Sequence, residues 1–200
     1  MNQNNAISNV GNTLVNLLRK NMKSTGVNID SSDIVLGFPD SSQDYKITLY
    51  LYNVLKSSYF EGDSPWSLGH KANRIQPIAL ELYYLIIINS KAKINRASEE
   101  HQLLGGVMQV FQQNAVLENY ILGDGYKLYK CQQEFRMLFN PLSLEEVSKI
   151  RSAFPKLSEN TILSYLVTPV IIECMPGDDE SRVLSTNMKF GEIERDENVK

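Results

Sequence analysis

The chain has few of the side chains that do chemistry. It holds two histidines, two cysteines and one tryptophan in 200 residues. Neither His70 nor His101 has a second histidine at metal-ligand spacing, and no H-E-x-x-H occurs. Cys131 and Cys174 form no C-x-x-C. They predict a reducing compartment without a disulfide framework, and buried structural thiols rather than nucleophiles. There is no G-x-G-x-x-G and no Walker loop, so nothing cradles a phosphate. These shortages point away from an enzyme and from any metal or cofactor. A Cys–His pair assembled in space stays open as a remote alternative, a small thiol-dependent enzyme.

Charge of one sign is also missing. The net charge is −3 with no basic stripe, which argues against nucleic acid. Residues 177–200 carry seven acids and four bases and so hold the whole net charge, leaving residues 1–176 neutral. One domain over residues 1–176 with an acidic extension at 177–200 follows. The acidic turn Asp178-Asp179-Glu180 reads as solvated rather than as a cation site. The first five residues, Met1-Asn2-Gln3-Asn4-Asn5, lack the basic and apolar regions of a signal peptide. The longest apolar run, residues 78–88, is broken by Glu81 and falls far short of the ~20 residues that span a bilayer. Synthesis in the cytosol and no membrane partner are the expectations.

Apolar residues make up 42% of the chain, an ordinary share for a packed core, and they recur with readable periods. Ala6, Val10, Leu14, Leu17 and Leu18 stripe a first helix. Asn4 or Asn5 stands as its cap, Arg19, Lys20 and Lys23 lie at its end, and Gly26 stops it. Residues 33–37 form a short strand candidate, and 39–42 a turn. Residues 45–55 alternate, with Ile47, Leu49 and Leu51 against Thr48, Tyr50 and Tyr52, predicting a half-buried strand. Tyr50 and Tyr52 then share the opposite face, either as interface anchors or as a second buried face.

Residues 59–76 form a long loop bearing Tyr59 and Trp66, which either anchor a contact or cover the core. The continuous run at 78–89 predicts a strand covered on both faces. A second helix is expected over 97–113 with Ser98 as N-cap, and a short helix over 116–122 is a candidate to extend it. His101 on that helix reads as a surface or hydrogen-bonded residue. The Gly105-Gly106 pair within it costs up to ~1 kcal/mol per glycine relative to Ala, implying close packing against a strand or a neighbouring subunit. A strand is expected over 126–135, and a third helix over 141–153 that opens on the capping-box outline Ser143-Leu144-Glu145-Glu146. Residues 162–173 form a strong strand whose Pro169 implies an edge or a bulge. One more strand is a candidate over 182–190, in a segment that includes Arg182, Lys189 and Phe190. The order predicts a mixed α/β (α+β) fold, with about three helices packing a mixed, largely antiparallel sheet.

Five of these stretches carry a resemblance. They are Ala6-Ile7-Ser8-Asn9-Val10 through Leu18; Ile47-Thr48-Leu49-Tyr50-Leu51-Tyr52-Asn53-Val54; Pro77 to Tyr84; Glu100-His101-Gln102-Leu103-Leu104-Gly105 with Val107-Met108; and Ser164-Tyr165-Leu166-Val167-Thr168-Pro169-Val170. The fourth is the most specific. Together, over residues 5–190, they resemble the N-terminal domain of the cap, or tube-terminator, proteins of extracellular contractile injection systems of the antifeeding-prophage and virulence-cassette type, which are similar to contractile phage tail terminators. The resemblance implies a tail-terminator-like fold and a hexameric ring of this chain that ends the inner tube and anchors the last sheath layer. It therefore implies inner tube protein and sheath protein as partners, within a particle that may leave the cell. It carries over no catalytic residue. The chain departs from the pattern at Gln76-Pro77-Ile78-Ala79-Leu80, where the family has proline-leucine-x-leucine, and it ends at Lys200 without the long extension of some members. A baseplate or connector subunit of the same particle is the alternative role. Trp66, Tyr59, Tyr50, Tyr52, Arg182, Lys189 and Phe190 are the expected interface residues, with the loop directed to the tube or the next subunit and residues 182–200 to the sheath.

Overall fold

The fold comes from a computed structural model in which residues 6–58, 78–92, 94–117 and 135–172 are described, apart from the side chains of 41–43. The elements in chain order are α1 (Ala6–Asn21), β1 (Ile34–Leu36), β2 (Ile47–Lys56), β3 (Ile78–Ile88), α2 (Arg96–Gln113), β4 (Val116–Leu117), β5 (Phe135–Phe139), α3 (Leu144–Ala153) and β6 (Thr161–Ile172). The strands make one six-stranded sheet in the order β1-β2-β3-β6-β5-β4. Only β1–β2 is parallel; every other neighbouring pair is antiparallel. This is the mixed, largely antiparallel sheet with three helices that the sequence predicts.

The two inner strands explain the layering. On β3, Leu82, Tyr84, Ile86 and Ile88 face one side, where they join α1 and α2 in the main core. Leu85 and Ile87 face the other and pack with Leu157 in a smaller core. Full burial of one such side chain stabilises by roughly 1.5–3 kcal/mol, so neither face can be left to water. The continuous apolar run is therefore a strand with both faces covered, as expected. On β2, Ile47 and Leu49 join the helix side, while Tyr50 and Tyr52 lie with the second core.

Helix α1 buries Ala6, Val10, Leu14, Leu17 and Leu18, the predicted stripe. Its approach to the sheet is close: a Cβ on Gly11 would lie 3.0 Å from Leu36 Cδ2 and 3.3 Å from the Tyr84 hydroxyl. At its end Arg19 donates from Nε (3.0 Å) and Nη2 (2.7 Å) to the Ile34 carbonyl, tying the helix to β1. A 3-10 turn, Met22–Thr25, follows, and Gly26 closes it at φ 80°, a left-handed conformation that suits glycine. The cap expected at Asn4 or Asn5 lies outside the described residues.

Helix α2 starts earlier than the sequence suggests. Its N-cap is Asn95, left-handed at φ 59°, and Ser98 sits exposed in the first turn. The early start places Arg96 one turn before Glu100, where its Nε donates to the Glu100 carboxylate at 2.9 Å. The glycine pair splits. A Cβ on Gly106 would sit 3.0 Å from both Met22 Cε and Thr25 Oγ1, so its close contact is the turn after α1 rather than a strand. Among the described residues, a Cβ on Gly105 would meet nothing within 4 Å.

Val116 and Leu117 form β4 rather than prolonging the helix: Asn114 leaves helical geometry at φ −122° and ψ 40°, and its Nδ2 donates back to the Val110 carbonyl at 2.8 Å. Phe135–Phe139 forms β5, which shares Phe135 with the strand expected over 126–135; residues 126–134 lie outside the described residues. Pro169 is at a bulge and not at an edge: the register moves from Leu80↔Val170 to Leu82↔Val167, setting Thr168 and Pro169 against Glu81 alone. The missing proline N–H thereby leaves no gap in a regular ladder. The Thr168–Pro169 peptide is cis. Ser143 and Glu146 form the predicted capping box of α3.

The unequal glycines give a direct stability test. Gly105→Ala should stabilise the chain by up to ~1 kcal/mol through helix propensity. Gly106→Val should destabilise it by about 1–3 kcal/mol through overpacking against Met22 and Thr25. Urea midpoints of the two variants check both signs.

Candidate interface surfaces

The face of the sheet opposite α1 and α2 is aromatic. The Tyr50 ring lies 5.8 Å from both Phe38 and Phe154, at 43° and 78°. The Tyr52 ring meets Tyr83 edge-on at 6.2 Å. The Tyr52 hydroxyl shares a 2.9 Å hydrogen bond with Ser164 Oγ, and Asn140 Nδ2 donates to the same Ser164 oxygen at 3.0 Å. Tyr50 and Tyr52 thus share the predicted face, each half-buried beneath α3 and the turn before β6, with Phe38 left 72% exposed beside them. A ring held by a hydroxyl bond and an edge contact loses little further freedom if a partner covers it.

One end of the sheet is polar and cross-linked. Lys46 at the start of β2 donates to Glu99 of α2 at 2.8 Å, and Ser90 Oγ donates to the same carboxylate. The Lys46 ammonium first, then the Ser90 hydroxyl, holds the Glu99 carboxyl below its usual range. Glu100, buried beside it, accepts from Arg96, from the Ser90 N–H (3.4 Å) and from Thr161 Oγ1 (3.4 Å). Arg96 reaches on to Glu159 at 3.1 Å, and Lys91 pairs with Asp33 at 2.7 Å. These contacts join the start of α2 to β2, β6 and the segment after β3.

The opposite end of the sheet is apolar and exposed. Beyond the register shift between Leu51 and Asn53, Val54 and Leu55 of β2 point to opposite faces and are 41% and 46% exposed; Ile78 of β3 is 43% exposed. None of the three is among the expected interface residues; the signal for Val54 and Leu55 is two adjacent apolar residues after Asn53, where the alternation breaks.

Trp66, Tyr59, Arg182, Lys189 and Phe190 lie outside the described residues, as do His70, Cys131 and Cys174. The structure therefore brings together only Tyr50 and Tyr52 of the expected set. His101 is exposed on α2. Among the described residues no three His, Cys, Asp or Glu side chains are placed to hold a metal, and no helix is long and apolar enough to cross a membrane.

Comparison with known proteins bears on this geometry. The family model of the Pvc16 N-terminal domain matches residues 9–186. No curated protein matches the chain. Among solved structures, the fold is similar to the sheath/tube terminator of the PVC extracellular contractile injection system in its extended state, at TM-score 0.55 and 14% identity over 95% of this chain and 64% of that one. It is similar also to the tube-terminating cap of the anti-feeding prophage, at TM-score 0.56 and 18% identity over 90% of this chain and 60% of that one. The chain thus spans less than two thirds of either protein.

The polar end sets an acid sensitivity. A carboxyl whose folded pKa is depressed contributes stability that is present above its unfolded value of about 4.5 and is lost as pH falls through the lower folded value. Stability of the native chain should therefore fall as pH drops below about 4.5, and the fall should be shallower in Glu99→Gln, which has no carboxyl to protonate. Urea unfolding of both proteins between pH 7 and pH 3 measures this; parallel pH profiles would contradict it.

Proposed function

The chain belongs to the Pvc16 N-terminal domain family, and on that premise we propose that it ends the inner tube of a phage-tail-like contractile injection particle, as a homo-oligomeric ring that also holds the last sheath layer. The observation that carries this reading is the fold: nearly the whole chain superposes on a sheath/tube terminator. A hexamer is the ring that the family resemblance implies. A ring needs heterologous contacts that close, a face that fits the tube, and no template for the next tube ring. The aromatic face around Tyr50 and Tyr52 and the apolar end at Val54, Leu55 and Ile78 are surfaces of the required kind.

The reading assigns contacts and no catalytic step. The loop over 59–76, with Tyr59 and Trp66, is proposed to touch the tube or the next subunit. Residues 182–200, with Arg182, Lys189 and Phe190, are proposed to reach the sheath, adding a strand to one of its sheets. Synthesis and assembly take place in the cytosol on this reading, and the chain leaves with the particle.

Elongation of the particle's tube protein in vitro tests the role. Added in small molar amounts, the chain should shorten the tubes and label one end of each. Unchanged lengths, or label along the tube wall, would overturn a terminal cap and favour a connector or an unrelated role. In the same assay Trp66→Ala should weaken end binding. Truncation after Gly177 should leave capping intact but release the sheath from purified particles; retained sheath would refute the role given to the tail.

A further inference from the structure

One long edge of the sheet lies open among the described residues. β1 accompanies β2 only as far as Leu49, whose carbonyl accepts from the Gly37 N–H. β2 runs on to Lys56. Two residues past Leu49, Leu51 turns its N–H and C=O to the same outer side. Beyond the register shift the Ser57 N–H donates to Ala79 of β3, so the alternation turns Val54 outward as well. No described strand lies beside residues 51–55 on that side. The two ends of the sheet are blunted by comparison. β1 is three residues long and its Ile34 carbonyl is occupied by Arg19; β4 is two residues long. Asn53, Val54 and Leu55 are exposed and uncharged. Such an edge is a template for strand addition, and native proteins cover it.

The point where the chain leaves the sheet names the occupant. β2 and β6 are both antiparallel to β3, so they run parallel to each other. β6 ends at Ile172, opposite Ile78, at the same end of the sheet as Lys56. A strand that follows β6 and turns back therefore runs antiparallel to β2. The slot outside β2 lies three strand spacings from β6, about 14 Å. Residues 173–181 can span up to about 30 Å. A strand in that slot completes the spatial order of a Greek key with β2, β3 and β6. Its connection nests outside the one from β2 to β3, and the two do not cross.

Residues 182–190 have the pattern that the slot requires. Leu184, Thr186, Met188 and Phe190 alternate with Val183, Ser185, Asn187 and Lys189, one face apolar and the other largely polar. The match to the family domain also runs to residue 186, past the end of β6. The other long connections fit the slot less well. Residues 59–77 lead to Ile78 at the end they leave, so a strand that they laid along β2 would need a second pass to return. Residues 118–134 lead to Phe135, on the far side of β3 and β6.

We infer that residues 182–190 form a seventh strand on their own chain, paired antiparallel with β2 along Leu51 and Val54, and that the domain ends near Phe190 rather than at residue 176. This pairing stands apart from the cap reading. The sheath contact proposed above does rest on that reading, and it then uses the outer edge of the new strand, the side that β2 leaves open.

Amide hydrogen exchange in the free full-length chain, with neither tube nor sheath present, tests the pairing. Leu51 and Val54 should exchange slowly, as Asn53 and Leu55 do through their bonds to β3. Ser185→Pro and Thr186→Pro delete adjacent amides, one of which must face β2. At least one of the two should speed exchange at Leu51 and Val54 about tenfold or more while Asn53 and Leu55 keep their rates. Fast exchange at Leu51 and Val54 in the native chain would overturn the inference, as would protection that neither proline alters. Where a proline loosens Asn53 and Leu55 too, nuclear Overhauser contacts in the native chain decide. Contacts between residues 51–54 and 182–190 support the pairing, and their absence overturns it. Contacts seen only between labelled and unlabelled copies would put the strand on a second copy and overturn the same-chain assignment. Tube capping is read separately by the elongation assay, so failure here leaves the proposed function standing.

Discussion

Burial of β3 on both faces is the constraint from which the rest of the fold follows. A strand that carries Leu82, Tyr84, Ile86 and Ile88 on one side and Leu85 and Ile87 on the other cannot sit at an edge or face water. It requires a strand on each flank, supplied by β2 and β6, and a layer on each face. The larger layer is α1 with α2; the smaller is α3 with the Pro155–Leu157 turn. The sequence supplies the larger layer from helices on either side of the strand pair β2–β3, so the Gly106 contact with the turn after α1 is what lets the two helices lie together. Gly11 performs the same service between α1 and the sheet.

The polar groups divide the molecule by task. Ion pairs and shared carboxylates gather where α2 begins, fixing its start to three strand ends. Such partly buried pairs contribute orientation more than large stability. The far end of the β2–β3 pair carries exposed apolar side chains. A protein that works by contact distributes its surface in this way: one end rigid and cross-linked, the other apolar and free to be covered.

Much of this fold was legible in the chain, and the reasons for success and failure are physical. Local signals worked where a period or a cap is self-contained: the α1 stripe, the two-sided run of β3, the Ser143–Glu146 capping box, and the bulge at Pro169. They failed where the deciding contact is distant. Phe135–Phe139 is short and broken by Arg136, and becomes a strand only through pairing with β6. Gly105 and Gly106 look alike in sequence, and only the approach of Met22 separates them. The start of α2 is set by a left-handed Asn95, which carries no mark that distinguishes it from Ser98. The surfaces were less legible than the fold. Tyr50 and Tyr52 were readable as a shared face, yet the partner of Tyr52 is Ser164, on a strand far along the chain.

The central claim is that this chain sets where the tube stops. Electron microscopy of particles from cells with and without the gene, scored for tube and sheath length, addresses it most directly. Broad or overlong tubes, and sheaths lost from the end distal to the baseplate, are the result predicted when the chain is missing. Tube lengths that keep the normal narrow distribution, with sheaths intact at both ends, would contradict it.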